Sequence, residues 1–315
     1  MRLAIFGIGA MGSLFGARLS PHADVTLIGR WPEQIDALHA RPVRVLRGDG
    51  SAYEARVQAV AATHETPLPP QFQNNPVDLA LILTKANKTD LAAQGAAMIL
   101  KPGGIAVTLQ NGLGNVELLG QRVGAGRATL GTTTQGAAMV EPGVVREGGA
   151  GLTHLATRPD IEPQIRALAD LLGQAGFKTE VVEDVRGLVW GKLAINAAIN
   201  PLTALLRVPN GALLESPEAR QIMGEAAREV AAVAAAQGIT LPYPDPAARA
   251  EEVARLTGAN RSSMLQDILR GAETEIEAIC GAAAREGERL GVGTPVNAVL
   301  RQMIRMLEAT ARQRI

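Results

Sequence analysis

The chain is poor in the residues that build several common kinds of site. It holds one cysteine, Cys280, in 315 residues. A single thiol makes no intrachain disulfide and no thiolate metal cluster. The histidines His22, His39, His64 and His154 lack the close spacing of a zinc site, so no metal is expected. Aromatic residues make up 3%, too few for a surface that stacks bases. Charge of either sign is balanced, 31 basic against 31 acidic residues, which argues against a nucleic-acid binder. Uncharged runs such as Pro102 to Val116 reach 15 residues and are glycine-rich. A membrane span needs ~18 apolar residues. The first residues, MRLAIFGIGAMG, read as structure and not as a signal peptide. The expectation is a cytoplasmic protein with neither nucleic acid nor membrane as partner.

Lysine is scarce too. Of the 31 basic residues only Lys85, Lys88, Lys101, Lys178 and Lys192 are lysines. In a chain this rich in arginine, each lysine has a raised chance of a role that a guanidinium cannot fill.

What is present divides in two. Up to about residue 183, short apolar runs alternate with helical patterns. Strands are expected at Leu3–Ile8, Asp24–Gly29, Asp78–Leu83, Ile105–Leu109, Ala128–Gln135, Val144–Glu147, Gly151–Ala156 and Thr179–Glu183. Helices are expected at Ala10–Leu19 and Ile161–Ala175, and a surface loop at Pro67–Pro76. Such alternation predicts a parallel sheet with helices on both faces. From Asp184 onward strand signals vanish and alanine abounds. Helices are expected over Leu188–Asn200, Ala219–Gln237, Pro246–Leu256, Ser263–Leu290 and Thr294–Arg312. The division is therefore 1–183, an α/β dinucleotide-binding domain of Rossmann type, and 184–315, an all-α substrate domain. The alanine-rich helices could form a homodimer interface or only a core.

Gly7, Gly9 and Gly12 form G-x-G-x-x-G between the first strand and the first helix. The first glycine permits the tight turn, the second lets a pyrophosphate approach, and the third lets helix and strand pack closely. The helix N-terminus offers N–H groups to phosphate. An NAD site commonly ends its second strand with an acidic residue on the ribose 2′-hydroxyl. Here Gly29-Arg30 stands there, and a guanidinium suits a 2′-phosphate. NADP(H) is the expected cofactor. Lys85 and Asn111 follow later strands, at the sheet end where ligands bind, or else serve as loop and turn residues.

In WGKLAINAAINPLTAL, residues 190–205, Lys192, Asn196 and Asn200 are spaced i, i+4, i+8 among apolar neighbours. They share one helix face. Such a stripe is either a structural network or a cradle for a small polar substrate beside a cation. Pro201 is expected to end or kink that helix near Asn200. Ser262 or Ser263 could cap a following helix. Glu275 is either solvated or orients Lys192.

The sequence resembles the ketopantoate reductase family. The likeness rests on GIGAMG at 7–12, TKA at 84–86, QNGLGN at 110–115, GTTTQGA at 131–137, WGKLAINAAINPLTA at 190–204, PNG at 209–211 and SSMLQDILRGAETEIEAICG at 262–281. The resemblance implies NADPH-dependent reduction of 2-dehydropantoate to (R)-pantoate. It implies Lys192 as proton donor and Glu275 as a carboxylate near the reacting centre and the nicotinamide. It makes Asn111, Lys192, Asn196, Asn200, Asn210 and Ser263 substrate contacts. It makes Gly7, Ile8, Gly9, Ala10, Met11, Gly12, Arg30, Lys85, Asn111, Ala137 and Glu275 cofactor contacts. Gln135 departs from the family's frequent histidine. Reduction of another 2-oxo acid or an opine-like substrate, or non-catalytic NADP(H) sensing, are the alternatives.

Overall fold

The computed structural model describes residues 1–62, 71–149 and 151–311. The chain falls into two compact units. One comprises Met1–Gln110 with Asn115–Val185, the other Asn111–Gly114 with the chain from Arg186 on.

The first unit runs β1 (Arg2–Phe6), α1 (Ala10–Leu19), β2 (Asp24–Gly29), α2 (Pro32–Ala40), β3 (Val43–Leu46), β4 (Ala52–Ala55) and β5 (Gln58–Ala61). It continues with α3 (Gln71–Asn74), β6 (Val77–Ile82), α4 (Thr89–Ile99), β7 (Leu100–Thr108), α5 (Asn115–Val123), β8 (Ala128–Thr133) and β9 (Ala137–Glu141). It closes with β10 (Val144–Glu147), β11 (Leu152–Ala156), α6 (Glu162–Gln174) and β12 (Lys178–Val182). Eight strands form the main sheet in the order β12-β11-β8-β7-β6-β1-β2-β5. Leu3, Ala4, Ile5 and Phe6 are all buried, because a central parallel strand is covered on both faces. One apolar cluster joins Leu3 and Ile5 to Leu14 and Phe15 of α1, and another joins Ala4 and Phe6 to Ala92 and Ala96 of α4.

Several expectations are corrected. The sheet is not wholly parallel, since β11 pairs antiparallel with β8. Four further strands make a second sheet, ordered β4-β3-β10-β9, so Val144–Glu147 leaves the main sheet. The elements α2 to β5 carry short, half-polar patterns such as VRVL and AYEA, which gave no strand signal. Within the expected loop Pro67–Pro76, residues 71–74 are helical and 67–70 lie outside the described residues.

The second unit is α-helical among the described residues, with a short 3-10 segment at Asn210–Glu215. Its helices are α7 (Arg186–Leu206), α8 (Pro217–Ala236), α9 (Pro246–Leu256), α10 (Ser263–Leu269), α11 (Cys280–Leu290) and α12 (Pro295–Ala309). Residue 312, the expected end of the last helix, is outside the described residues. The central α7 buries Leu193, Ala194, Ala197, Ala198 and Ala204 against Met223, Ala227 and Val230 of α8. It also continues past Pro201, so the helix end expected near Asn200 is not there. Thr203 lies two residues beyond, and its hydroxyl lies 3.0 Å from the Ile199 and Asn200 carbonyls. Pro201 is itself buried in this unit, and that packing offsets part of the ~3 kcal/mol that an interior proline costs. The expected single helix Ser263–Leu290 is two helices, α10 and α11. Gly271 breaks it at φ +66, a left-handed conformation that glycine adopts without strain. No described helix is long and apolar enough to cross a membrane.

Candidate functional site

The first site is the turn between β1 and α1. Gly7 is held at φ +126, and its N–H donates to the Ile28 carbonyl at 2.8 Å. A Cβ on Gly12 would lie 1.7 Å from the Gly7 carbonyl oxygen, and one on Gly7 2.7 Å from the Leu83 carbonyl. Gly9 differs, because a Cβ there would meet nothing within 4 Å. Two glycines are thus required by the fold itself, and the third faces open space. Gly9 is the N-cap of α1, no side chain caps that end, and the first turn carries no acidic residue. Ala10 and Met11 of this first turn are half-buried, and Ile8 is buried. An uncapped helix start behind an open glycine fits the pyrophosphate of a dinucleotide.

Around this turn stand the other expected cofactor residues of the first unit. A Cβ on Gly29 would lie 2.4 Å from the Ile8 side chain, so the end of β2 abuts the turn. Arg30 follows it and is exposed. Lys85, half-buried and extended at φ −64, ψ 149, precedes a short 3-10 turn after β6. Gln110, not singled out from the sequence, braces this region. Its amide nitrogen donates to the Thr84 carbonyl and the Thr89 hydroxyl, both at 2.9 Å, and its oxygen accepts from the Thr108 hydroxyl at 2.9 Å. It thereby clamps the residue before Lys85 to the residue before Asn111. Ala137 starts β9, opposite Glu147. Gln135 is buried, donates to the Gly149 carbonyl at 2.7 Å and accepts from the Gly151 N–H at 3.1 Å. Here Gln135 is a staple between backbone segments, a task that needs both a donor and an acceptor but no titration.

The second site lies in the helical unit. Lys192 and Asn196 of α7 are half-buried and Asn200 is buried. Burial pulls the Lys192 ammonium from its ordinary 10.5 down to about 8, against the opposing pull of the Glu275 carboxylate. Glu275 itself is buried, which removes the solvated alternative. The Asn111 side-chain nitrogen donates to Glu275 Oε2 at 3.3 Å. Asn111 belongs to the helical unit because its loop docks there: the Leu113 N–H donates to the Ala278 carbonyl at 3.1 Å. Gly112, at φ +87, permits this approach, since a Cβ would lie 2.4 Å from the Ala278 carbonyl oxygen. Lysine, glutamate and asparagine thus form one group from three distant stretches of chain.

The remaining expected substrate residues are placed differently from one another. Asn210 is buried, its nitrogen donates to the Thr257 hydroxyl at 2.9 Å, and its side-chain oxygen has no hydrogen-bond partner. A buried acceptor without a partner is uncommon. Ser262, not Ser263, caps α10 by accepting from the Leu265 N–H at 3.1 Å. That leaves the Ser263 side chain exposed. The cap is tied to α7 by a 2.7 Å bond between the Ser262 and Thr203 hydroxyls. Thr203 was legible in principle, three residues past Asn200 on the same helix. Beside the lysine, Gly191 accommodates Pro242 and Tyr243, whose hydroxyl donates to the Gly191 carbonyl at 2.6 Å. Among the described residues no cluster of His, Cys, Asp and Glu could hold a metal.

A Rossmann-type unit with an open glycine turn, carried with a helical unit that holds a half-buried lysine and a buried carboxylate, is the build of a two-unit oxidoreductase. The chain belongs to the ketopantoate reductase PanE/ApbA family. The model of that family matches residues 3–160, and the model of its C-terminal part matches residues 184–308. A 2-dehydropantoate 2-reductase of Halobacterium salinarum is 34% identical over 98% of this chain and 99% of its own length. Among solved structures, D-mandelate dehydrogenase with NADH and anilino(oxo)acetate superposes with a TM-score of 0.91 at 28% identity, covering 99% of both chains. A ketopantoate reductase from Ralstonia eutropha gives a TM-score of 0.87 at 29% identity, over 99% of this chain and 100% of its own.

Proposed function

We propose that the protein reduces 2-dehydropantoate to (R)-pantoate with NADPH. The observation that carries this reading is the half-buried Lys192 beside the buried Glu275, in a chain whose full-length relatives are named 2-dehydropantoate 2-reductases. NADPH, when bound, supplies the hydride that goes to C2 of the oxoacid. As that carbon is reduced, its carbonyl oxygen gathers negative charge. The Lys192 ammonium stabilises the charge and gives up a proton to the oxygen. A lowered pKa makes Lys192 a better donor at neutral pH, and Glu275 keeps enough of it protonated to serve. Asn111 directs Glu275 through its amide. Asn196, Asn200, Asn210 and Ser263 hold the substrate carboxylate and distal hydroxyl. Residues 1–183 carry the glycine turn with Ile8, Ala10 and Met11, and also Arg30, Lys85 and Ala137 for the cofactor. Residues 184–315 carry the substrate groups. Arg30, with no acidic neighbour at the end of β2, selects the 2′-phosphate.

A second reading is favoured by the likeness to D-mandelate dehydrogenase, whose structure holds NADH and an oxoacetate. In it the same residues reduce a different 2-oxo acid, with NADH as hydride source. Both are separated by following nicotinamide absorbance at 340 nm. Turnover is measured with 2-dehydropantoate and a panel of 2-oxo acids, each with NADPH and with NADH. The proposal expects the highest kcat/KM for 2-dehydropantoate with NADPH. A preference for an aryl oxoacid or for NADH moves the assignment to the second reading, and no turnover of any oxoacid removes both.

A further inference from the structure

Of the chain's two tryptophans and four phenylalanines, only Trp31 is exposed, at 37%. A lone exposed apolar side chain needs no explanation by itself. Its position does. Trp31 is the second residue beyond Gly29, whose neighbour across the fold is Ile8 of the glycine turn. Two peptide steps place it within about 7 Å of chain from that contact.

The backbone that carries it is pinned on both sides. The Gly29 carbonyl accepts from the Ala62 N–H at 2.9 Å, and the Ile28 carbonyl accepts from the Gly7 N–H at 2.8 Å. Trp31 is extended, at φ −99, ψ 101, as the N-cap of α2, and makes no capping bond with its side chain. Pro32 occupies the first turn of that helix and restricts the chain just after the indole. A large flat side chain is thus carried by the residue that follows the exposed Arg30, two residues beyond the contact of Gly29 with the turn that fits a pyrophosphate. A dinucleotide anchored at the turn, with its ribose phosphate on Arg30, extends its adenine in this direction.

We infer that the Trp31 indole is the platform on which the adenine ring of the cofactor stacks. The inference rests on the dinucleotide reading of the turn. It separates two contributions: Arg30 reads the 2′-phosphate and distinguishes NADPH from NADH, whereas Trp31 reads the base and serves both equally.

The chain's two tryptophans make the test direct, because the other, Trp190, is buried in the helical unit. The full-length protein is titrated with 2′,5′-ADP, NADP⁺ and nicotinamide mononucleotide, following tryptophan emission and, separately, heat. The adenine-bearing ligands are expected to quench the emission, and nicotinamide mononucleotide is not. Trp31→Phe keeps a flat ring and should bind 2′,5′-ADP within about threefold of the parent but lose the quenching. Trp31→Ala should bind both NADPH and NADH about tenfold more weakly, with their ratio unchanged. Calorimetric binding of 2′,5′-ADP without any change in emission overturns the inference, as does unaltered affinity in Trp31→Ala. If the parent protein binds neither 2′,5′-ADP nor NADP⁺, the dinucleotide reading fails and the platform falls with it.

Discussion

The glycine turn and the polar stripe of α7 are built in opposite ways. At the turn the backbone is the working surface and side chains are excluded. Gly7 and Gly12 leave no room for a single carbon, and Gly9 leaves space that nothing in the chain fills. On α7 the backbone is helix, and the proposed function rests on what three side chains present. Lys192 is costly to bury and is kept beside a buried Glu275 that is itself held by Asn111. The contrast teaches that a substitution at the turn acts by steric exclusion, on folding and binding together. A substitution on the stripe acts by chemistry and can leave the fold intact.

That contrast can be broken experimentally. The largest effect is expected at Lys192. Lys192→Ala should lower kcat by about 10²- to 10⁴-fold, the usual worth of a general acid, with cofactor affinity preserved. A kcat near that of the parent in steady-state assays would remove the stripe from the chemistry. Next comes Gly12→Ala, which drives a carbon against a backbone oxygen. It should cost at least about 3 kcal/mol and lower the unfolding midpoint by about 6–12 °C. A calorimetric midpoint within a degree of the parent would mean that the turn is not as tight as described. Arg30→Ala should be smaller and selective, raising KM for NADPH about tenfold while leaving KM for NADH nearly unchanged. An unaltered preference between the two would reassign the 2′-phosphate contact.

The subtlest expectation is a pH profile. A donor must be protonated, and the Lys192 pKa is lowered to about 8, so kcat/KM should fall as pH rises through that value. Because the Glu275 carboxylate raises the lysine pKa against burial, Glu275→Gln should move the fall to lower pH. A profile unchanged in Glu275→Gln would separate the two groups.

Much of this was legible before any coordinates. The boundaries of α1 and β2 follow from a glycine turn, an apolar helix and an unbroken apolar strand. The stripe Lys192, Asn196, Asn200 follows from helical spacing alone. The elements between Gly29 and Val77 were not visible, since four-residue strands with mixed polarity carry too little pattern. Pro201 misled as a helix end because its local cost is real but is outweighed by the burial of α7. The Ser263–Leu290 stretch misled because its apolar periodicity is helical on both sides of Gly271 while the residue itself turns left-handed.

Local chemistry and periodicity, then, were enough to determine which segment forms the open glycine turn proposed for phosphate and which carries a cation among amides, because both are properties of a few adjacent residues. Tertiary structure alone decided that Glu275 is buried, that Asn111 reaches it from a segment 164 residues away, and that Ser262 takes the cap and leaves Ser263 outward. Those outcomes depend on packing between distant segments. Desolvation and hydrogen bonding there have no counterpart in the order of residues along the chain.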